Sequence, residues 1–280
     1  MQVSPAPTLV CHIIILCRLV SRKSDDERNY RSDMIALLAA MKTEITYLKK
    51  AMTITRITTY KSGRVYQGTI ASKDCLLMVT GVGKQHAQQA TEFITEKYPV
   101  GLLISTGFAG ALNSKSRVGD IVIYSGINCG AEPPASPCNI LCSDTGLIDK
   151  ALKNGENQVF CTILGQGVTI AQICATKESK YNLGQVFKAD AVDMESYWIG
   201  EIAGKKGLPF ITVRSVSDSA QDDLSFLDNI VVKSKVRPLR ALSYFVCHPA
   251  QIKKTADFFF NFRKAGRNLG VFMQRLIQDI

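Results

Sequence analysis

From Met34 onward the chain alternates short apolar runs with amphipathic stretches, and the two periods differ. "MIALLAAM" is a continuous apolar run of strand length, and in "KTEITYLKKAM" Ile45, Leu48 and Met52 fall on one helical face. "TITRITTY", "RVYQGTI" and "DCLLMVTGV" follow as three successive strands, a local antiparallel meander. "KQHAQQATEFITEKY" reads as a helix, and "GLLISTGFAG" as a strand running into a glycine-rich turn. "GDIVIYSG" and "QVFCTILGQGVTI" are further strands, with a helix near Leu147–Lys153 before the second. "ADAVDM" is a short strand, "ESYWIGEIAGKKG" a helix stopped by Gly207, and "PFITVRSVSD" a buried strand. Strands alternating with helices predict an α/β fold: one three-layer αβα domain around a central mixed, largely parallel sheet. Such sheets hold ligands at the C-terminal ends of their strands.

Both ends of the chain differ from this pattern. Residues 1–33 combine an apolar stretch interrupted by His12 and Arg18 with the charged "SRKSDDERNYRSD". A secretory signal places its cations before the apolar run, which this segment does not. Three readings stand: an upstream start with Met34 as initiator, a weak surface anchor, or an extra helix. Residues 34–229 form the expected domain, and 230–280 a basic helical extension with Phe258–Phe260, Phe262, Leu269, Phe272, Met273, Leu276 and Ile277 as apolar positions. That extension carries ten Lys and Arg against two Asp, so eight of the chain's ten excess positive charges lie in it. A basic tail on a nearly neutral domain points to a local surface contact and away from nucleic acid.

No apolar run reaches the length of a membrane span. The nine cysteines are scattered, and several sit in apolar runs where a thiol packs as a small hydrophobe. Neither a disulfide framework nor a zinc site is expected, and a reducing cytosol is the simplest compartment.

Polar residues or glycines stand at four strand ends where packing does not require them. They are Glu44, "STGFAG" with Gly107 and Phe108, "VDMES" with Asp193, Met194 and Glu195, and "RSVSD" with Ser217 and Asp218. Each has an ordinary reading: an acid at a strand end often caps the next helix, and a glycine-rich turn is usually only a turn. His86 is the sole histidine between Met34 and Asp228, so no Ser-His-Asp or Cys-His arrangement fits.

Taken together and in this order, these motifs resemble the nucleoside phosphorylase/nucleosidase superfamily. The resemblance covers roughly residues 34–224 and is strongest in "AVDMESYWIGEIAGKKGLPFITVRSVSDSA", with "GVGK", "STGFAGAL" and "VGDIVI" in support. It implies cleavage of an N-glycosidic bond, which develops oxocarbenium character on the sugar and negative charge on the base. One carboxylic acid must then protonate the leaving purine, and a second carboxylate must activate water on the opposite face. The resemblance makes Asp218 the acid, supported by Ser217, in apolar surroundings that favour its protonated form. Glu195 holds the ribose hydroxyls, Met194 packs on the sugar, Gly107 and Phe108 line the site, and Glu44 activates water. Phosphorylases of the superfamily carry Gly-Asp-Pro-x-Arg at the first strand end. Here the segment is "AAMKTEI", and Glu44 repels an anion, so hydrolysis is expected over phosphorolysis.

The nucleoside is less constrained. Methylthioadenosine/S-adenosylhomocysteine nucleosidases carry a Gly-Asp-x-Phe segment where this chain has "GQGVTIAQICATKESKYNL", and "TGSAGG" where it has "TGFAGA". The pattern "ATKESK…AVDMES…GLPF" with a basic extension looks more like hopanoid-associated phosphorylase-like proteins. That resemblance implies adenine release from a lipid-linked adenosine (adenosylhopane), with peripheral membrane contact through the basic helices. The alternatives are the soluble thio-nucleosides, another purine nucleoside such as futalosine, or a catalytically silent nucleoside binder. Neither a cofactor nor a metal is called for, and the family likeness implies a homodimer.

Overall fold

The computed structural model describes residues 34–226 except 62, 131–139 and 157, together with 231–232, 235–236 and 250–280. The readings of residues 1–33 lie outside the described residues. The strands are β1 (Met34–Ala39), β2 (Thr53–Tyr60), β3 (Gly63–Ile70), β4 (Lys73–Val79), β5 (Val100–Ala111), β6 (Ile121–Cys129), β7 (Leu141–Cys142), β8 (Thr162–Thr169), β9 (Ala191–Asp193), β10 (Phe210–Asp218), β11 (Val231–Val232) and β12 (Lys235–Val236). The helices are α1 (Thr46–Ala51), α2 (Lys84–Lys97), α3 (Thr145–Asn154), α4 (Lys177–Phe187), α5 (Ser196–Lys205) and α6 (Ala250–Asp279).

β1 to β10 form a single mixed sheet. β1 lies between β4 and β5 and runs parallel to both, while β2, β3 and β4 make the antiparallel meander that three consecutive strand-length runs predicted. Beyond β5 the sheet closes on itself. β5 pairs with both β9 and β10, β8 joins β9 to β6, and β6 returns to β10. Closure removes two free edges and brings β5 and β10 side by side.

Apolar residues cover both faces. In β1, Ile35, Leu37 and Ala39 point to one core with α1, α3 and α6, and Ala36 and Leu38 to the other with α2 and α5. This alternation, with both sets buried, explains why β1 reads as continuously apolar. α6 contributes Ala265, Leu269, Phe272, Met273, Leu276 and Ile277, all fully buried, so its apolar stripe belongs to the main core.

Two local expectations change. The predicted turn at "STGFAG" is instead the second half of β5, which runs on to Ala111 because β9 and β10 pair with it. α1 begins only at Thr46; before it the Glu44 N–H donates to the Met41 carbonyl and the Met41 N–H to Glu44 Oε2, forming a turn. Cys142 is disulfide-bonded, against the expectation of reduced thiols, while Cys75, Cys129, Cys161 and Cys174 are free. No described helix is long and apolar enough to cross a membrane.

Candidate active site

The β5–β10 ladder sets the frame. Arg214 lies opposite Gly107 and Asp218 opposite Gly110, so two charged side chains are offered along one pair of strands. Gly107 and Gly110 are three positions apart, roughly 10 Å along a strand. Each of the two glycines makes room for one of the acids. A Cβ on Gly107 would collide with Arg214 Nη1 and stand 2.6 Å from Glu44 Oε1; one on Gly110 would stand 2.9 Å from Asp218 Oδ2.

At the Gly107 end, Glu44 is buried and both its oxygens are held. The Phe108 N–H donates to Oε1 at 2.9 Å, and the Met41 N–H to Oε2 at 2.7 Å. Burial raises the pKa of this carboxyl, against the opposing pull of Arg214 and the backbone donors. Arg214 is 1% exposed. Its Nε and Nη2 donate to Ser196 Oγ at 3.1 and 2.7 Å, Nη2 also to Ser105 Oγ at 3.0 Å, and Nε lies 3.2 Å from Asp193 Oδ2. Its Nη1 has no hydrogen-bond partner. A buried guanidinium nitrogen without a partner, beside a buried carboxylate, is where a polar ligand atom or a water gains most.

Asp193 organises the next corner. Its Oδ1 accepts from Thr169 Oγ1, the Glu195 N–H and the Ser196 N–H, and Oδ2 accepts from Ser196 Oγ at 2.5 Å. These bonds fix the start of α5 and therefore Glu195, whose Oε1 accepts the Gly83 N–H at 2.8 Å. Gly83 belongs to the "GVGK" motif and adopts φ +91°, a conformation that suits glycine. Burial pushes the Glu195 carboxyl up to about 8, with Arg214 opposing and Asp193 and Glu44 adding to the rise. Met194 is half-buried next to it.

At the Gly110 end, Ser217 Oγ donates to Asp218 Oδ1 at 2.7 Å. The apolar surroundings expected around Asp218 are joined by a buried cation. Lys180, fully buried on α4, donates to Asp218 Oδ2 at 2.7 Å, so the carboxylate is half of a buried ion pair.

The site thus gathers Glu44, Glu195, Ser217 and Asp218 around β5 and β10. Phe108 contributes its backbone N–H to Glu44, and its ring meets that of Phe262 edge-on at 4.9 Å. His86 is exposed and outside the cluster. Lys180 and Arg214 were missed. Arg214 had a signal, a lone cation inside the otherwise apolar "PFITVRSV"; Lys180 sits in a polar helix and had none. Among the described residues no group of His, Cys, Asp and Glu could hold a metal ion.

A closed mixed sheet with acids gathered at its strand ends is a ligand-binding α/β architecture, and the chain belongs to the phosphorylase superfamily, whose family model matches residues 34–242. It is 31% identical over 218 residues to the 5'-methylthioadenosine/S-adenosylhomocysteine nucleosidase of Shewanella sp. (strain MR-7), covering 71% of this chain and 90% of that one. The enzyme of the same name from Staphylococcus epidermidis is 30% identical over 207 residues, covering 69% and 90%. Among solved structures, the fold is similar to the Neisseria meningitidis nucleosidase bound to methylthio-immucillin-A (TM-score 0.72, 22% identity, 89% of this chain and 100% of that one). It is also similar to the futalosine hydrolase of Helicobacter pylori (TM-score 0.72, 18% identity, 89% and 98%).

Proposed function

We propose that this protein hydrolyses the N-glycosidic bond of an adenosine-type nucleoside and releases adenine. The observation that carries the reading is the pairing of Glu44 with the unpartnered Nη1 of Arg214, across the ladder from Gly107. A water bound there accepts from Nη1 and donates to the carboxylate. As the bond from the anomeric carbon to the purine breaks, its electron pair leaves with the base. The water oxygen bonds to that carbon, and its proton passes to Glu44, whose burial makes it a stronger base than a solvated carboxylate. Glu195 accepts from the ribose hydroxyls, and Asp218, held by Ser217, delivers the proton that neutralises the departing base, so that adenine leaves uncharged. The similarity to nucleosidases in both sequence and fold supports water as nucleophile. So does the charge at Arg214, which Asp193 already neutralises at 3.2 Å and which is therefore a poor anchor for phosphate.

The nature of the nucleoside is read from the apolar surroundings. Phe108, Phe262, Phe258 and Phe226 form a continuous run of ring contacts from the edge of the site to α6. Such a run suits an adenosine bearing an apolar substituent, either the alkylthio group named in the relatives or a lipid as in adenosylhopane. A homodimer is part of the same reading, carried over from the family likeness.

Purified protein incubated with methylthioadenosine, S-adenosylhomocysteine and a lipid-linked adenosine tests it. Adenine and the free sugar form at the same rate with and without phosphate. A sugar 1-phosphate appearing in proportion to added phosphate sinks the hydrolytic reading.

A further inference from the structure

α4 is held to the domain in an unusual way. Across its eleven residues the only buried side chain is Lys180, whereas Tyr181 and Val186 face outward at 63% and 74% exposure. Leu183 and Phe187 pack half-buried against the cluster of Leu112, Val168, Ala189 and Val192, and burying an ammonium beside them is costly unless it is paired and fully hydrogen-bonded. Its first turn is fixed by a capping box, in which Thr176 Oγ1 accepts the Ser179 N–H and Ser179 Oγ accepts the Thr176 N–H. Lys180 follows immediately, its N–H donating to the Thr176 carbonyl.

All three ammonium protons are used. Lys180 Nζ donates to Asp218 Oδ2 at 2.7 Å, to the Ser219 carbonyl at 2.8 Å and to the Asp222 carbonyl at 3.0 Å. Ser219 and Asp222 close a turn on each other: the Asp222 N–H donates to the Ser219 carbonyl, and the Ser219 N–H to Asp222 Oδ2. One side chain therefore ties the end of β10 and the turn after it to α4. With Ser217 on Oδ1 and Lys180 on Oδ2, the Asp218 carboxylate is fixed in rotation as well as in charge.

We propose that Lys180 is a positioning residue for the reaction: it orients the Asp218 carboxylate towards the leaving purine and touches no substrate itself, having no proton left to offer. This rests on the nucleosidase reading above. A buried ion pair seldom adds net stability, so a pair 38 residues apart in sequence that also fixes the Asp218 carboxylate points to a role in the site.

The test is a double-mutant cycle with Lys180→Gln and Lys180→Met, each alone and combined with Asp218→Asn, read as kcat and KM for adenine release and as the Kd of adenine. Lys180→Gln keeps amide donors for the two carbonyls, so it covers the case in which Lys180→Met does not fold. Because the contact matters most once the purine takes up its proton, kcat falls by about 10²-fold while KM moves by less than about threefold. Adenine, the protonated leaving group, binds about tenfold more weakly. In the Asp218→Asn background the same substitutions change kcat and Kd by less than about threefold. Additive losses, or single variants equal to the parent, overturn the proposal, because a purely structural lysine acts independently of Asp218. If the parent binds adenine but releases none from any nucleoside, the nucleosidase reading fails and the adenine cycle still decides the role of Lys180. A parent that does not bind adenine overturns both.

Discussion

Burial raises the carboxyl of Glu44 and pushes that of Glu195 up to about 8, while the charge of Arg214 opposes the rise in both. For an acid whose folded pKa lies above its unfolded value near 4.5, the stabilising contribution is complete below that lower value. It is lost as pH rises through the folded one. The ligand-free protein therefore loses stability between about pH 5 and pH 8, by a few kcal/mol at most. Thermal unfolding across that window measures it, and Glu195→Gln, which cannot ionise, flattens the slope. An equally steep decline in the variant assigns the effect elsewhere. Gly107 makes a second residue-scale prediction. Since Arg214 Nη1 and Glu44 Oε1 occupy the space of its missing Cβ, Gly107→Ala displaces one of them and lowers turnover by at least about 10²-fold. Near-normal turnover of a folded Gly107→Ala protein contradicts the pairing. Glu44, Glu195, Ser217 and Asp218 were legible because each ends an apolar run in a motif. Lys180 was not: its partner is remote in sequence, and nothing in "ATKESK" distinguishes an inward lysine from a solvated one.

At the scale of elements, the run "LLISTGFAGAL" was half readable. Its apolar start marked a strand, but its small residues look like a turn, and only the pairing with β9 and β10 keeps them extended. Sheet closure is a long-range property that no local pattern announces. Conversely, the meander of β2, β3 and β4 was readable because its strands are adjacent in sequence and their turns local. α6 shows the limit of reading a tail as an appendage. Its stripe at 265, 269, 272, 273, 276 and 277 was visible as apolar, yet its destination, the core shared with β1, β5 and β10, was not. Phe272 meets Phe160 edge-on at 6.5 Å and is fully buried. Phe272→Ala should therefore cost about 3–5 kcal/mol of unfolding free energy. Denaturant titration checks this, and a loss below about 1 kcal/mol would mean that α6 is docked loosely.

At the scale of the whole molecule, the excess positive charge lies mostly in residues 230–280, and the placement of α6 decides what it can do. With its apolar stripe committed to the core, the helix turns another face outward. At 100° per residue, Phe259, Phe260, Arg263, Lys264, Arg267 and Arg275 fall within about half of the helical circumference. All six are exposed, Phe259 at 50% and Phe260 at 74%. Cations flanked by two exposed rings are the makings of a peripheral contact with an anionic bilayer, in which each Lys or Arg adds about 1 kcal/mol at low salt. Such a contact would serve the proposed lipid-linked substrate, because the ring series from Phe258 through Phe262 to Phe108 leads from this helix to the site. Truncation cannot test it, since removing α6 opens the core. The clean variant reverses charge on the outer face alone, as Arg263→Glu, Lys264→Glu, Arg267→Glu and Arg275→Glu together, with turnover of a water-soluble nucleoside as the control for folding. The parent protein co-sediments with phosphatidylserine vesicles at low salt and is released at high salt; the reversed protein stays in the supernatant at both. Retention of both proteins, or of neither, removes the membrane contact. The acids gathered around β5 and β10 are untouched by that outcome, and the alkylthio-adenosines named for the relatives then become the substrates to pursue.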